Sequence, residues 1–203
     1  MTIRKGEEWG YDAEPGPHVV QVRDDADLAQ RAHDSVRGGQ PLIARLGAGD
    51  LLATLGGSPP QPGRLVRHLP IDLGLIVVDD GDPLPFVSHC VLRRRAWQGQ
   101  SAVVMNAGWL GPYYLGPKAH PNDGILDITW GALGWNQRLL ARRRAKTGSH
   151  LPHPALTTAR VATWEWTAEQ PVRLYTDGVA AGPRRVRSVA VSVVPDAFTV
   201  VLG

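Results

Sequence analysis

Three groups of residues in this chain have the types and spacing to do chemistry. Leu46-Gly47-Ala48-Gly49-Asp50 sets a glycine turn ahead of a short apolar run, Leu51 to Leu55. A turn of that kind at a helix N-terminus offers backbone N–H groups to a phosphate. Two glycines make a plain strand-to-helix connection equally well. His150 and His153, three apart, would suit zinc, but Pro152 and Pro154 hold the segment extended and no third ligand stands at useful spacing. A turn with packed imidazoles is expected there. The third group is basic: Arg93-Arg94-Arg95, then Arg142-Arg143-Arg144 with Lys146, then Arg184, Arg185 and Arg187. Such runs are solvated faces by default, or they meet anionic lipid, where each cation gains about 1 kcal/mol. Neither helix-turn-helix nor finger spacing is present, and no aromatics interleave with the cations, so nucleic acid is not an expected partner. The chain also lacks a Gly-x-Ser-x-Gly nucleophile elbow.

The elements that must position these residues can be read from the pattern. The 203 residues, 43% hydrophobic and 20% charged with a net charge of +3, describe a folded soluble protein with room for a sizeable core. No apolar run reaches the roughly 18 residues of a membrane span, and the N-terminus has no secretory-type apolar segment. The single cysteine, Cys90, excludes an internal disulfide and lies in an apolar stretch that predicts an inert buried thiol, in keeping with a cytoplasmic setting. Residues 1–17 read as an irregular arm. A strand over 18–22, a helix capped by Asp24 or Asp25 and running to about 36, a strand over 41–46 and a short helix after Asp50 form a small αβ segment over 18–56. Glycine and proline then mark a boundary over 56–64.

Beyond it, over 64–203, short strand candidates recur at 70–78, 85–92, 101–106, 125–130, 160–167, 172–177, 186–193 and 198–202, with one Arg-rich helix at 136–146. The fold class expected is mainly β (α+β): an antiparallel β-sandwich with a small αβ segment at its N-terminus. The turn His120-Pro121-Asn122-Asp123-Gly124 enters the 125–130 strand, with Asp123 as a turn cap and Asp127 as a solvent-facing strand residue. Trp164 and Trp166 alternate onto one face as sheet-packing residues.

In chain order, Leu46-Gly47-Ala48-Gly49-Asp50, Pro70-Ile71-Asp72-Leu73-Gly74, Met105-Asn106-Ala107-Gly108, His120-Pro121-Asn122-Asp123-Gly124, Gly148-Ser149-His150-Leu151-Pro152-His153-Pro154, Asp177-Gly178 and Val194-Pro195-Asp196 resemble the diacylglycerol kinase/sphingosine kinase family of lipid kinases. The resemblance covers most of 40–203. It implies a C-terminal sandwich of lipid-kinase type that supplies acidic residues and a crevice for lipid. Asp123 and Asp127 are its catalytic candidates, as carboxylates that could bind Mg²⁺ or accept a hydroxyl proton. Asp25, Gly47, Gly49 and Asp50 fall where it implies nucleotide contacts. Trp109, Tyr113 and Tyr114 are candidates for a lipid mouth, and Arg142, Arg143 and Arg144 with Trp109 for lipid or membrane contact.

The departures bear on ATP. The family's Gly-Gly-Asp-Gly-Thr falls on Arg23-Asp24-Asp25-Ala26-Asp27, so side chains replace every glycine and only Asp25 matches. Like charges at about 4 Å cost roughly 4 kcal/mol at an effective dielectric near 20, which disfavours triphosphate beside three aspartates. The family's earlier strands that complete a nucleotide cleft are also not found ahead of residue 18. Val179 stands where the family commonly has Glu. The expectation is a catalytically degenerate relative, kept as a lipid-binding or interaction module without a cofactor, with peripheral membrane association. The alternative is an active kinase using ATP and Mg²⁺, its cleft completed by a homodimer or a partner chain. A third is a scaffold whose strands pair with partners.

Overall fold

The computed structural model describes residue 3, residues 8–57 and residues 65–203. Most of the expected boundary over 56–64, and much of the start of the arm, lies outside the described residues. The arm is not irregular throughout: β1 (Tyr11–Ala13) pairs antiparallel with β4 (Val66–Val78), Tyr11 opposite His68. Between them come β2 (Val20–Val22), α1 (Asp25–Gly38), β3 (Ile43–Leu46) and α2 (Asp50–Leu55). Asp24 caps α1 by accepting the Asp27 N–H at 3.0 Å, and Gly39 ends it at φ 65°. A 14-residue helix is marginal in water alone. Here Leu28, Ala29 and Ala32 bury one stripe of α1 against the strands, and that burial holds it.

The larger part runs through β5 (Leu84–Phe86), β6 (His89–Arg93), β7 (Gln100–Met105), the hairpin of β8 (Trp109–Leu110) and β9 (Tyr113–Tyr114), β10 (Leu126–Ala132), α3 (Trp135–Ala145), β11 (Leu156–Val161), β12 (Thr163–Thr176) and β13 (Val179–Leu202). Among the described residues one 11-stranded sheet follows the order β1-β4-β13-β12-β6-β7-β10-β11, with β5 on β4 and the parallel pair β2–β3 attached to the end of β13. The sheet curls enough to bring Trp130 of β10 within 5.5 Å of Trp164 of β12. This is the mainly antiparallel, sandwich-like architecture expected, with the αβ segment joined to it through β3.

Three strand boundaries differ from the pattern. The single strand expected over 85–92 is broken at Val87 and Ser88, whose N–H groups turn to a side chain instead of a neighbouring strand. The strand expected over 160–167 is cut after Val161, and its second part continues as β12 through the segment expected separately at 172–177. Conversely, 186–193 and 198–202 are one strand, β13, with a bulge between Val194 and Phe198. Pro195 has no N–H to give a ladder, and Asp196 takes φ 50°, so the extra residues loop out without ending the pairing.

Two apolar clusters form the core. One packs α1 and α2 on Val22, Ala44, Leu46, Ile71, Leu73 and Val200; the other fills the sandwich with Ile76, Phe86, Leu92, Val104, Leu126, Ile128, Leu174 and Val191. Trp130, Trp164 and Trp166 pack against the second cluster, the last two stacked at 6.0 Å. Cys90 is fully buried there, and burial raises its thiol pKa, so it stays protonated.

Candidate functional site

The segments that carry unusual polar residues converge where α1 and α2 begin. Asp25 does not cap its own helix, a role Asp24 fills. Its carboxylate, on a residue only 5% exposed, crosses to α2 and accepts the N–H groups of Asp50 (2.7 Å) and Leu51 (3.2 Å) with one oxygen. The same oxygen accepts the Ser88 hydroxyl at 2.7 Å, while Oδ1 has no partner among the described residues. Gly49 is what permits this approach. At φ 145° a Cβ on it would lie 1.9 Å from Asp25 Oδ1. Burial raises the Asp25 pKa, against the pull of its three donors.

The neighbouring donors are taken too. Gly47 N–H goes to the Val22 carbonyl at 2.9 Å. Asp27 accepts the Arg23 N–H at 3.1 Å, which with the Arg31 guanidinium lowers its pKa. Asp24, its pKa also lowered, is bonded to Arg23 Nε at 2.8 Å. The N–H groups of Arg23, Asp27, Gly47, Asp50 and Leu51 at these two turns are thus held by the chain's own acids and carbonyl.

Behind Asp25 lies Asp177, partly buried. Its carboxylate gathers the N–H groups of Val87, Ser88 and His89 at 2.9, 2.9 and 3.0 Å, and so turns the chain between β5 and β6. Burial, with Asp25 near, pushes its pKa up to about 7. His89 sits 3.6 Å from Asp50, too far for a hydrogen bond, and burial lowers its imidazole pKa to about 4. It is neutral near pH 7, and this contact is no ion pair. Asp50 accepts the Gly111 N–H at 2.9 Å, and Thr54 accepts that of Gly108 at 3.0 Å, which fastens α2 to both ends of β8. Asn106 donates to the carbonyls of Asp72 and Val87.

A second polar knot centres on Asp72, fully buried in the middle of β4. It accepts the N–H groups of Gly124 (2.7 Å) and Asp196 (2.9 Å) and the Asn122 amide (3.3 Å); Asn122 also donates to Asp196 at 3.0 Å. Burial pushes the Asp72 pKa up to about 6. The β13 bulge and the 120–124 turn are therefore both anchored on one carboxylate.

Asp123 and Asp127 are brought together, but by a cation. Arg160 of β11 reaches Asp123 at 2.6 Å and Asp127 at 2.9 Å, since Arg160 stands opposite Asp127 in register. Asp123 also accepts the Ile125 N–H at 3.1 Å, the turn-cap role expected of it. Asp127 is half-buried beneath Arg160 instead of facing solvent, its side chain 15% exposed. Burial raises both pKa values and Arg160 lowers them. Trp109 packs on Tyr114 at 5.0 Å in the β8–β9 hairpin, and Arg142 Nε donates to Tyr113 OH at 2.6 Å. Arg143 and Arg144 are exposed on α3. His150 is buried and His153 accepts the Ala155 N–H through its ring nitrogen, the packed turn foreseen. Among the described residues no three metal-ligating side chains converge on one point.

A family profile described as "YegS C-terminal NAD kinase beta sandwich-like domain" matches residues 74–202. The chain belongs to this family. No curated protein matches it in sequence. Among solved structures, one of a protein assigned as a diacylglycerol kinase from Bacillus anthracis str. Sterne superposes with a TM-score of 0.66 at 13% identity, covering 92% of this chain and 78% of that one. A structure of a diacylglycerol kinase from the same organism gives a TM-score of 0.61 at 13% identity, with 92% and 76% covered. The lipid-kinase-type sandwich read from the sequence motifs is therefore the fold this member of the YegS C-terminal domain family adopts. Sequence reasoning did not single out Ser88, His89, Asp72 or Asn122 as site residues. Asp72 had a usable signal, a lone acid in the apolar run Ile71 to Ile76, whereas nothing local marks Ser88.

Proposed function

We propose that the chain is a degenerate relative of the lipid kinases that no longer transfers phosphate and is kept as a lipid-binding or interaction module. One observation carries the reading: Asp24, Asp25 and Asp27 occupy the backbone donors at the starts of α1 and α2, so an incoming phosphate would meet three carboxylates and few open N–H groups. Peripheral association with an anionic membrane belongs to the same reading. The test is thermal unfolding with ATP and Mg²⁺ and, separately, with a short-chain diacylglycerol. A ligand at 100 times its Kd adds about 2.7 kcal/mol, an easily seen shift. No shift with nucleotide and a shift with lipid is the expected pattern. Passage of label from the terminal phosphate of ATP to a lipid hydroxyl ends the proposal.

A second reading has one observation in its favour. Asp25, Asp50 and Asp177 still meet around Ser88 and His89, and Asp25 Oδ1 and His89 Nδ1 are buried without partners among the described residues. On that reading a second copy or a partner chain completes a cleft for ATP and Mg²⁺, and nucleotide stabilises only the assembled form.

A further inference from the structure

α3 is built unlike the other long helix. Of its residues only Ala145 is buried, while Trp135, Leu139 and Leu140 are 62%, 51% and 45% exposed. Eleven residues do not sustain a helix in water, and two i,i+4 pairs of like charge, Arg138–Arg142 and Arg142–Lys146, work against it. Gly134 at its N-cap supplies no side chain. Two tethers hold its inner edge: Arg142 to Tyr113 OH, and Arg138 to the Ala96 carbonyl at 2.6 Å. The outer face reads Trp135, Leu139, Arg143 and Lys146 at helical spacing, with Leu140 and Arg144 beside it. No acidic residue stands between Asp127 and Glu165, so this stretch carries no charge of opposite sign for those cations.

We propose that α3 is an interfacial anchor that seats this protein on an anionic lipid bilayer. The indole and leucines enter the boundary between headgroups and acyl chains, and Arg143, Arg144 and Lys146 meet lipid phosphates. Charge complementarity selects the occupant, because a surface both apolar at shallow depth and densely anionic satisfies the two kinds of side chain at once. Arg142 is the tether to the hairpin, which fixes the angle at which the sandwich and Trp109 face the membrane. The proposal deepens the lipid-binding reading by naming its surface, but does not require that a single lipid enter a crevice.

The experiment is flotation of the full chain with vesicles of phosphatidylcholine alone or mixed with phosphatidylglycerol. Binding only to the mixed vesicles, weakened by salt, is expected. Arg143→Gln/Arg144→Gln/Lys146→Gln should weaken it roughly 100-fold, from about 1 kcal/mol for each cation. Trp135→Ala/Leu139→Ser/Leu140→Ser should reduce it further still at high salt. These side chains are exposed, and an unchanged thermal transition verifies that each variant folds. Indifference of the wild type to anionic vesicles, or binding by both variants at wild-type strength, overturns the proposal. So does self-association abolished by Leu139→Glu with no vesicle binding, which would make α3 a contact between copies. Titration with short-chain diacylglycerol below its micelle concentration separates the two ideas. If monomeric lipid binds and vesicles do not, the anchor falls and the lipid-binding reading stands; the reverse outcome keeps the anchor alone.

Discussion

Two groups of carboxylates in this protein are held in opposite ways. At the seam between α1, α2 and the sheet, Asp25 and Asp177 lean on backbone N–H groups and have no cation bonded to them among the described residues. On the sandwich, Asp123 and Asp127 share one guanidinium from the adjacent strand. Amide donors are fixed by the fold, so the seam acids define where loops turn, and removing one leaves several buried N–H groups without partners. A guanidinium on a flexible stem, 42% exposed, can be replaced by water. Acidity alone therefore says little about role here; what the acid is bonded to decides it.

The largest effect should come from Asp177→Ala. Three buried N–H groups lose their acceptor at about 1–3 kcal/mol each, partly relieved by relaxation, so a loss of about 3–5 kcal/mol is expected in chemical denaturation. A loss below about 1 kcal/mol would remove the seam's claim to be built on backbone donors. Gly49→Ala comes next, at about 2–4 kcal/mol, since φ 145° and the Asp25 carboxylate both oppose a Cβ. In Asp25→Ala the steric half of that opposition is gone. The two substitutions should therefore combine to less than their sum in a double-mutant cycle, and strict additivity would mean that the close approach is not what matters.

That seam was only half legible in the sequence. The glycine turn, the Asp24 cap and the strand-helix-strand order of the αβ segment follow from local rules, and residues 20–55 obey them. Asp25 was visible as an acid in the wrong company for ATP, but its real partners, Asp50, Leu51 and Ser88, lie 25 to 63 residues away. No local pattern encodes such a crossing. Strand breaks failed for the same reason: Val87 and Ser88 look like strand and leave it because Asp177 captures their N–H groups from 90 and 89 residues off. The sandwich face was more readable, because alternation placed Leu126 and Ile128 inside and left Asp127 to the other face. What alternation could not supply was Arg160, whose position opposite Asp127 depends on the β10–β11 register.

A smaller effect follows from protons. Burial pushes Asp177 to about 7 and Asp72 to about 6, against an unfolded aspartate near 4, so the folded chain holds extra protons below those values. Their contribution is full at low pH and lost as pH rises through about 6 and then 7. His89, lowered to about 4, acts in the opposite sense below about 6.5, where the unfolded imidazole takes a proton that the folded one refuses. The two trends overlap below that point, and above it Asp177 dominates. Stability should fall by on the order of 1 kcal/mol between pH 6.5 and 8. A flat or rising profile over that window contradicts the protonated seam, and Asp177→Asn should remove the slope.

The smallest effect is expected where the sequence promised catalysis. Arg160→Gln should cost about 0.5–1 kcal/mol, the range of partly exposed ion pairs, because Ile125 N–H still holds the Asp123 turn. Its sharper signature is in the acids. Burial raises both, Arg160 pulls both down, and its removal should let the Asp123 and Asp127 pKa values climb together in a carboxyl-carbon NMR titration. If only one moves, the guanidinium serves a single partner and the pair is not a unit. If stability falls by more than about 3 kcal/mol, the sandwich pair is as deeply built in as the seam. The contrast between amide-held and cation-held acids would then be one of partner chemistry alone, with no difference in replaceability.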